Sequence, residues 1–163
     1  MWWKSYLPNF FKVIIKGFTL KGIVNPNKIF LTGYSAGGDG LYHLSSMIAD
    51  WLSGAAMMAG HPNCVEIFNV RNLAFSIQVG GQDESYDRND QAKKYITKMI
   101  QLSKQYGGYS TKYCDVFHDC SHWMEFKDAA IFKDFFKEKR NPYPDFIVFK
   151  QHPRMRKQYF YYL

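Results

Sequence analysis

No apolar run in the chain approaches the ~20 residues that a helix needs to span a bilayer, so the expectation is a soluble protein with no membrane span. An export signal is missing as well. The apolar stretch Phe10 to Leu20 that follows Met1-Trp2-Trp3 is broken by Lys12 and Lys16, and no small-residue cleavage site follows, so it reads as a helix. Cysteine is scarce: Cys64, Cys114 and Cys120 cannot all pair within the chain, and their spacing fits no zinc pattern. Free thiols in a reducing compartment, with the cytoplasm favoured, are the expectation; a Cys114–Cys120 bridge is the alternative for an exported chain. Repeats, low-complexity tracts and nucleic-acid-binding motifs are also lacking.

What is present is apolar and aromatic. The 163 residues are 47% hydrophobic, with fourteen Phe and twelve Tyr, which argues against disorder and is enough for one domain with a real core. The net charge of +7 raises nucleic acid as a partner, but the basic residues are scattered. Lys93, Lys94, Lys98 and Lys104 fall on the polar side of one expected helix, and Lys127, Lys133, Lys137, Lys139 and Arg140 on and after another, as on solvated faces. No nucleic-acid partner is expected. The denser tail Lys150 to Lys157, with Arg154 and Arg156 among aromatics, is the one stretch suited to an acidic partner.

Hydrophobic spacing lays out alternating elements. Leu7, Phe10, Phe11, Ile14 and Phe18 give a first helix ending near Gly22; Ile29 to Thr32 reads as a strand; Leu41, Leu44, Ile48 and Trp51 mark a helix face. Gly54 to Ala59 and Leu73 to Val79 read as strands. Ala92, Tyr95, Ile96, Met99 and Ile100 define a helix capped by Asn89 or Asp90. Thr111 to Phe117 is a fourth strand, and Phe126 to Lys139 a last long helix with Phe132, Phe135 and Phe136 inward. After Asn141-Pro142-Tyr143-Pro144, residues 146–150 and 159–163 look like short added strands. The alternation implies an α/β fold with a mainly parallel sheet and helices on both faces. Residues 1–140 would form its main body, with 141–163 as an appended extended segment.

Within that frame, Gly33-Tyr34-Ser35-Ala36-Gly37 is a G-x-S-x-G pentapeptide between a strand and a helix. The composition yields such a pentapeptide by chance about once in twenty sequences of this length, so the flanking elements carry the rest of the signal. In a strand-to-helix elbow, side chains at 33 and 37 would be expected to collide, and the serine hydroxyl is pushed outward. Ser35 is thus the candidate nucleophile. It needs a base to take its proton and an acid to orient that base. Ligands on parallel sheets bind at the carboxyl ends of the strands, so both partners are sought in the loops there. Asp83, Glu84 and Asp87 compete for the acid. Asp83, nearest the strand, is favoured, while Asp87 caps the next helix or pairs with Arg88. His118 and His122 compete for the base, and His122, deeper in its loop, has more reach back to Ser35. His43 and His61 read as structural or loop residues and His152 as surface. The order Ser, Asp, His is that of α/β-hydrolases.

From Asn25 to its end the chain resembles the α/β-hydrolase superfamily, in particular an esterase and depolymerase-like branch that is similar to prolyl-oligopeptidase-type peptidases. Leu31 to Gly40, Ala59-Gly60-His61-Pro62-Asn63, Gly81-Gln82-Asp83 through Asn89, and His122-Trp123-Met124 carry the likeness, which extends to Arg140-Asn141-Pro142 and Phe160 to Leu163. The resemblance implies Ser35 as nucleophile, Asp83 as acid, His122 as base, the Ala36 amide as one oxyanion donor, and Tyr34 and Trp123 as substrate contacts. It implies no metal or organic cofactor. Family members carry several strands and an oxyanion loop ahead of the nucleophile strand, where this chain has a helix. The expectation is therefore a partial fold with one oxyanion donor missing and its nucleophile strand on an open edge suited to self-association.

The expected function is a serine hydrolase, carboxylesterase-like or peptidase-like, acting on small-molecule or peptide esters or amides through an acyl-enzyme. The rival expectations are a catalytically impaired hydrolase-like module serving as a binding or structural protein, and a basic adaptor acting through residues 150–163.

Overall fold

A computed structural model describes residues 4–152 and 157–163; Arg154 and Arg156 of the basic tail lie outside them. Four parallel strands, β1 (Phe30–Tyr34), β2 (Gly54–Met58), β3 (Ala74–Gly80) and β4 (Asp115–Phe117), pair in the order β1-β2-β3-β4. Helix α1 (Leu7–Leu20) precedes the sheet, α2 (Ala36–Ile48) links β1 to β2, and α3 (Arg88–Tyr106) links β3 to β4. A single α-helical turn, α4 (Phe132–Phe135), follows. The expected α/β fold is observed.

Strand alternation divides the core in two. Ala55 and Met57 of β2, with Phe75, Ile77 and Val79 of β3, face a large cluster filled by Tyr42, Leu44 and Ile48 of α2 and Ala92, Met99 and Leu102 of α3. Ala56 and Met58 face a smaller one closed by Met124 and Phe135. Helices therefore lie on both sides, though the second side is thinly covered.

Residues 41–50 are buried throughout, because α2 is covered on its outer side by the loop 61–72 and by the C-terminal segment. That segment contains no strand among its described residues, which corrects the expectation for 146–150 and 159–163. Side chains replace a β partner: Asn69 donates to the carbonyl of Lys150 and accepts from its N–H (2.9 and 2.7 Å). Arg71 and Asn72 both donate to the carbonyl of Phe146. Lys157 pairs with Asp50, and both side chains are almost fully buried.

Other expectations are also corrected. The long helix over 126–139 is replaced by a 3₁₀ turn, Lys127–Ile131, and the single turn of α4. Glu125 and Phe126 have φ of 54° and 62°, left-handed values that a right-handed helix does not include, so neither belongs to one. Phe135 is buried, but Phe136 is exposed. Strand β4 starts at Asp115, because residues 111–114 form a turn closed by the Cys114 N–H on the Thr111 carbonyl. The expected inner stripe of α1 is mostly outside: Ile15 is buried, whereas Phe10, Ile14 and Phe18 are exposed. All three cysteines are free, and Cys114 packs on the larger cluster while Cys120 belongs to the smaller one, which rules out their bridge in this fold. His43 lies buried on α2, and His152 is half-buried beside it with ring centroids 6.4 Å apart.

Candidate active site

Ser35 sits between β1 and α2 with φ 53° and ψ −120°, a conformation that L residues adopt only under strain. Its N–H donates to the Met58 carbonyl at 2.9 Å, which extends the sheet ladder through the elbow. A Cβ on Gly33 would lie 2.4 Å from the carbonyl oxygen of Gly37, so glycine is required there. Around a Cβ at Gly37 there is open space, which corrects the expected collision at that position. The tight approach falls one residue later, where a Cβ on Gly38 would be 2.8 Å from the Met58 carbonyl oxygen.

The loops after β3 and β4 are stitched together by their backbones. Gly81 donates to Phe117 at 2.8 Å and Gln82 to Cys120 at 2.9 Å. Any side chain on Gly80 would collide with Ser121, whose carbonyl oxygen would be 1.9 Å from the added Cβ. This contact brings Asp83 and His122 together.

Asp83 Oδ2 lies 2.7 Å from His122 Nδ1, and His122 Nε2 lies 3.0 Å from Ser35 Oγ. Asp83 is buried, while the His122 side chain is 42% exposed, so the acid is shielded and the imidazole can meet a ligand. Glu84, Asp87 and His118, the competing candidates, are exposed and make no such contact. Asp87 occupies the position before α3 with φ 55° but makes no side-chain cap bond, and neither Asn89 nor Asp90 is the cap. Arg88, expected to pair with Asp87, lies 3.4 Å from Asp83 Oδ1 instead. Asn89 braces the acid turn, donating from its side chain to the Gly81 carbonyl and from its N–H to the Asp83 carbonyl. Sequence reasoning missed both residues; an Asn at a helix start has the same signature whether it caps or braces.

Tyr34 and Trp123 flank the imidazole. The Tyr34 hydroxyl donates to the His122 carbonyl at 2.5 Å, and burial raises its pKa, so it stays a neutral donor. Trp123 is half-exposed, 6.2 Å from the Tyr34 ring and 4.9 Å from that of Phe126. On the other side of Ser35 a groove of about 480 Å³ is lined by Ser35, Ala36, Asp39, His61, Asn63 and the loop 86–88. Asp39 ties this wall to α2 by accepting the His61 N–H at 2.7 Å. The amide of Ala36 opens α2, where first-turn N–H groups have no intrahelical acceptor and can receive an anionic oxygen. The arrangement can pass a proton from a hydroxyl to an imidazole held by a carboxylate, beside a donor for developing negative charge.

No protein-family model and no curated protein matches the sequence. Among solved structures, the fold is similar to a thermostable esterase, with a TM-score of 0.66 and 14% identity over 82% of this chain and 36% of that one. It is also similar to a carboxylesterase from Mesorhizobium loti, with a TM-score of 0.58 and 19% identity over 80% of this chain and 59% of that one. The chain thus spans roughly a third of the first and three fifths of the second, and shares with both an α/β fold built on a mainly parallel sheet.

Proposed function

We propose that the protein is a serine hydrolase acting on carboxylic esters. His122 removes the Ser35 proton as Oγ attacks the carbonyl carbon; the new C–O bond gives a tetrahedral oxyanion that the Ala36 amide stabilises. Collapse breaks the bond to the leaving alcohol, which takes the proton from His122. Water, deprotonated by the same imidazole, then releases the acid and restores Ser35. Asp83 holds the imidazole tautomer with its proton on Nδ1, and Arg88 and Asn89 hold Asp83. Carrying this reading is the unbroken chain of contacts from Ser35 Oγ to Asp83, at 3.0 and 2.7 Å, assembled from three separate strand ends. The esterase likeness of the fold favours esters over amides. With Ala36 as one oxyanion donor, each further donor would add about 10²–10³ in rate.

The test is labelling by a fluorophosphonate probe. Labelling that Ser35→Ala abolishes and His122→Ala strongly weakens is expected; a folded protein that leaves Ser35 unlabelled would instead be a hydrolase-like binding module. Self-association is the second element of the reading. It rests on the outer edge of β1, which pairs with no other described strand, and on the exposed apolar side chains of α1.

A further inference from the structure

Helix α2 carries a second cavity beyond the groove at Ser35. About 210 Å³ in volume and with a mainly apolar surface, it is lined by His43 and Ser46 of α2 and by Asn63, Cys64, Val65 and Phe68, among others. An engineered apolar cavity of about 150 Å³ holds a benzene ring, so this one is of aryl size. Asn63 lines both spaces, and the helix face that walls the groove with Ala36 and Asp39 continues into the cavity through His43 and Ser46. Residues four and seven apart on a helix share a face, so the two spaces lie end to end along α2. The backbone between them is fixed: Asn63 and Cys64 have φ of 47° and 63°, and the Asn63 side chain donates to the His61 carbonyl at 3.0 Å. Lys150, whose ammonium lies 5.2 Å from the centre of the Phe68 ring, is paired with Glu66, so its charge is met within the lining, and Val65 and Cys64 add apolar surface beside that ring.

The geometry points to a second binding subsite for the substrate, in which the cavity takes an apolar, aryl-sized group joined by a chain to the ester carbonyl at Ser35. His43 lies seven positions after Ala36, so the rise of α2 sets that reach at about 10 Å. This assignment rests on the hydrolase reading for the carbonyl end, while the cavity end makes its own claim about binding. It identifies the preferred substrate as an ester bearing a terminal ring at the end of a flexible linker, rather than a simple acetate.

Cys64 supplies the test, since it is the exposed thiol at the cavity while Cys114 is half-buried and Cys120 buried. Alkylation of Cys64 with N-benzylmaleimide should plug the cavity. The expected result is a KM for nitrophenyl phenylhexanoate at least tenfold higher, with kcat/KM for nitrophenyl acetate changed less than twofold. Equal effects on both esters, or no effect on either, would overturn the assignment. A Cys64→Ser variant treated in the same way should show no change. A second measurement needs no turnover: in Ser35→Ala, methyl phenylhexanoate should slow alkylation of Cys64 at least fivefold, and methyl acetate should not. Protection without hydrolysis by the native chain would sink the hydrolase reading and keep the subsite; hydrolysis without protection would do the reverse.

Discussion

Tyr34, the residue before the candidate nucleophile, donates its hydroxyl hydrogen bond to the main-chain carbonyl of His122, the residue whose imidazole faces that nucleophile. The contact joins the first and last strand ends of the sheet across the mouth of the site. Through this bond Tyr34 can position the candidate base by its backbone, in addition to the substrate contact expected from the sequence.

Tyr34→Phe keeps the ring and removes this tether. A single such bond contributes about 1 kcal/mol, so kcat for an ester substrate should fall roughly fivefold with KM little changed. Steady-state kinetics on the variant check this, and a loss confined to KM would assign Tyr34 to substrate contact rather than to positioning.

On the proposed mechanism, Ser35→Ala, His122→Ala and Asp83→Asn should each lower kcat by about 10³-fold or more, and the triple variant should be little worse than the worst single one, as expected of three groups that act as one unit. Additive losses in a burst-corrected assay would show that they act separately. Asp83→Asn should remain folded, since an amide still fits beside Arg88 and His122.

Glycine substitutions separate the elbow from the acid turn. Gly37→Ala places its methyl in open space inside a helix and should stabilise the protein by about 0.5–1 kcal/mol with activity retained. Gly80→Ala drives a methyl into the backbone of Ser121 and Cys120 and should cost about 3 kcal/mol or more. Urea unfolding midpoints decide both.

The buried Lys157 gives a pH signature. Burial lowers its pKa from 10.5 to about 8, against the opposing pull of Asp50. Between those values the unfolded chain holds the proton that the folded chain has released, so this amine makes stability rise with pH across that window, and its penalty is fully present below it. Lys157→Met should flatten that rise in urea midpoints measured from about pH 7 to 10. An unchanged slope would place the titration elsewhere.

How much was legible in the sequence follows from where local spacing decides the structure. Strands β2 and β3 and helix α3 were readable because their apolar residues face a sheet or a core on every turn. That Ser35, Asp83 and His122 meet was readable because each lies in a loop at the carboxyl end of a strand, where a parallel sheet gathers its loops. The segment 126–139 was not: its phenylalanines recur at helical spacing, yet Phe126 is left-handed and a 3₁₀ turn occupies Lys127–Ile131, so only the turn that stacks Phe132 on Phe136, with rings 2° from parallel, is α-helical. The C-terminal strands failed for a different reason, since Asn69, Arg71 and Asn72 occupy the backbone groups that a strand partner would have used. Helix α1 obeyed its spacing, but of the side chains that spacing groups together only Phe11 packs on the larger cluster, while Phe10, Ile14 and Phe18 remain exposed among the described residues.

Among the described strands β1 pairs with β2 alone, and Ser35 follows its last residue. His122 follows β4 at the far side of the sheet, so the Ser35 hydroxyl and the His122 imidazole are carried on opposite margins of one four-stranded sheet. Twisting or fraying of the outer margin alters their separation directly, and whatever clamps that margin, another chain included, would set how often the hydroxyl and the imidazole are in register.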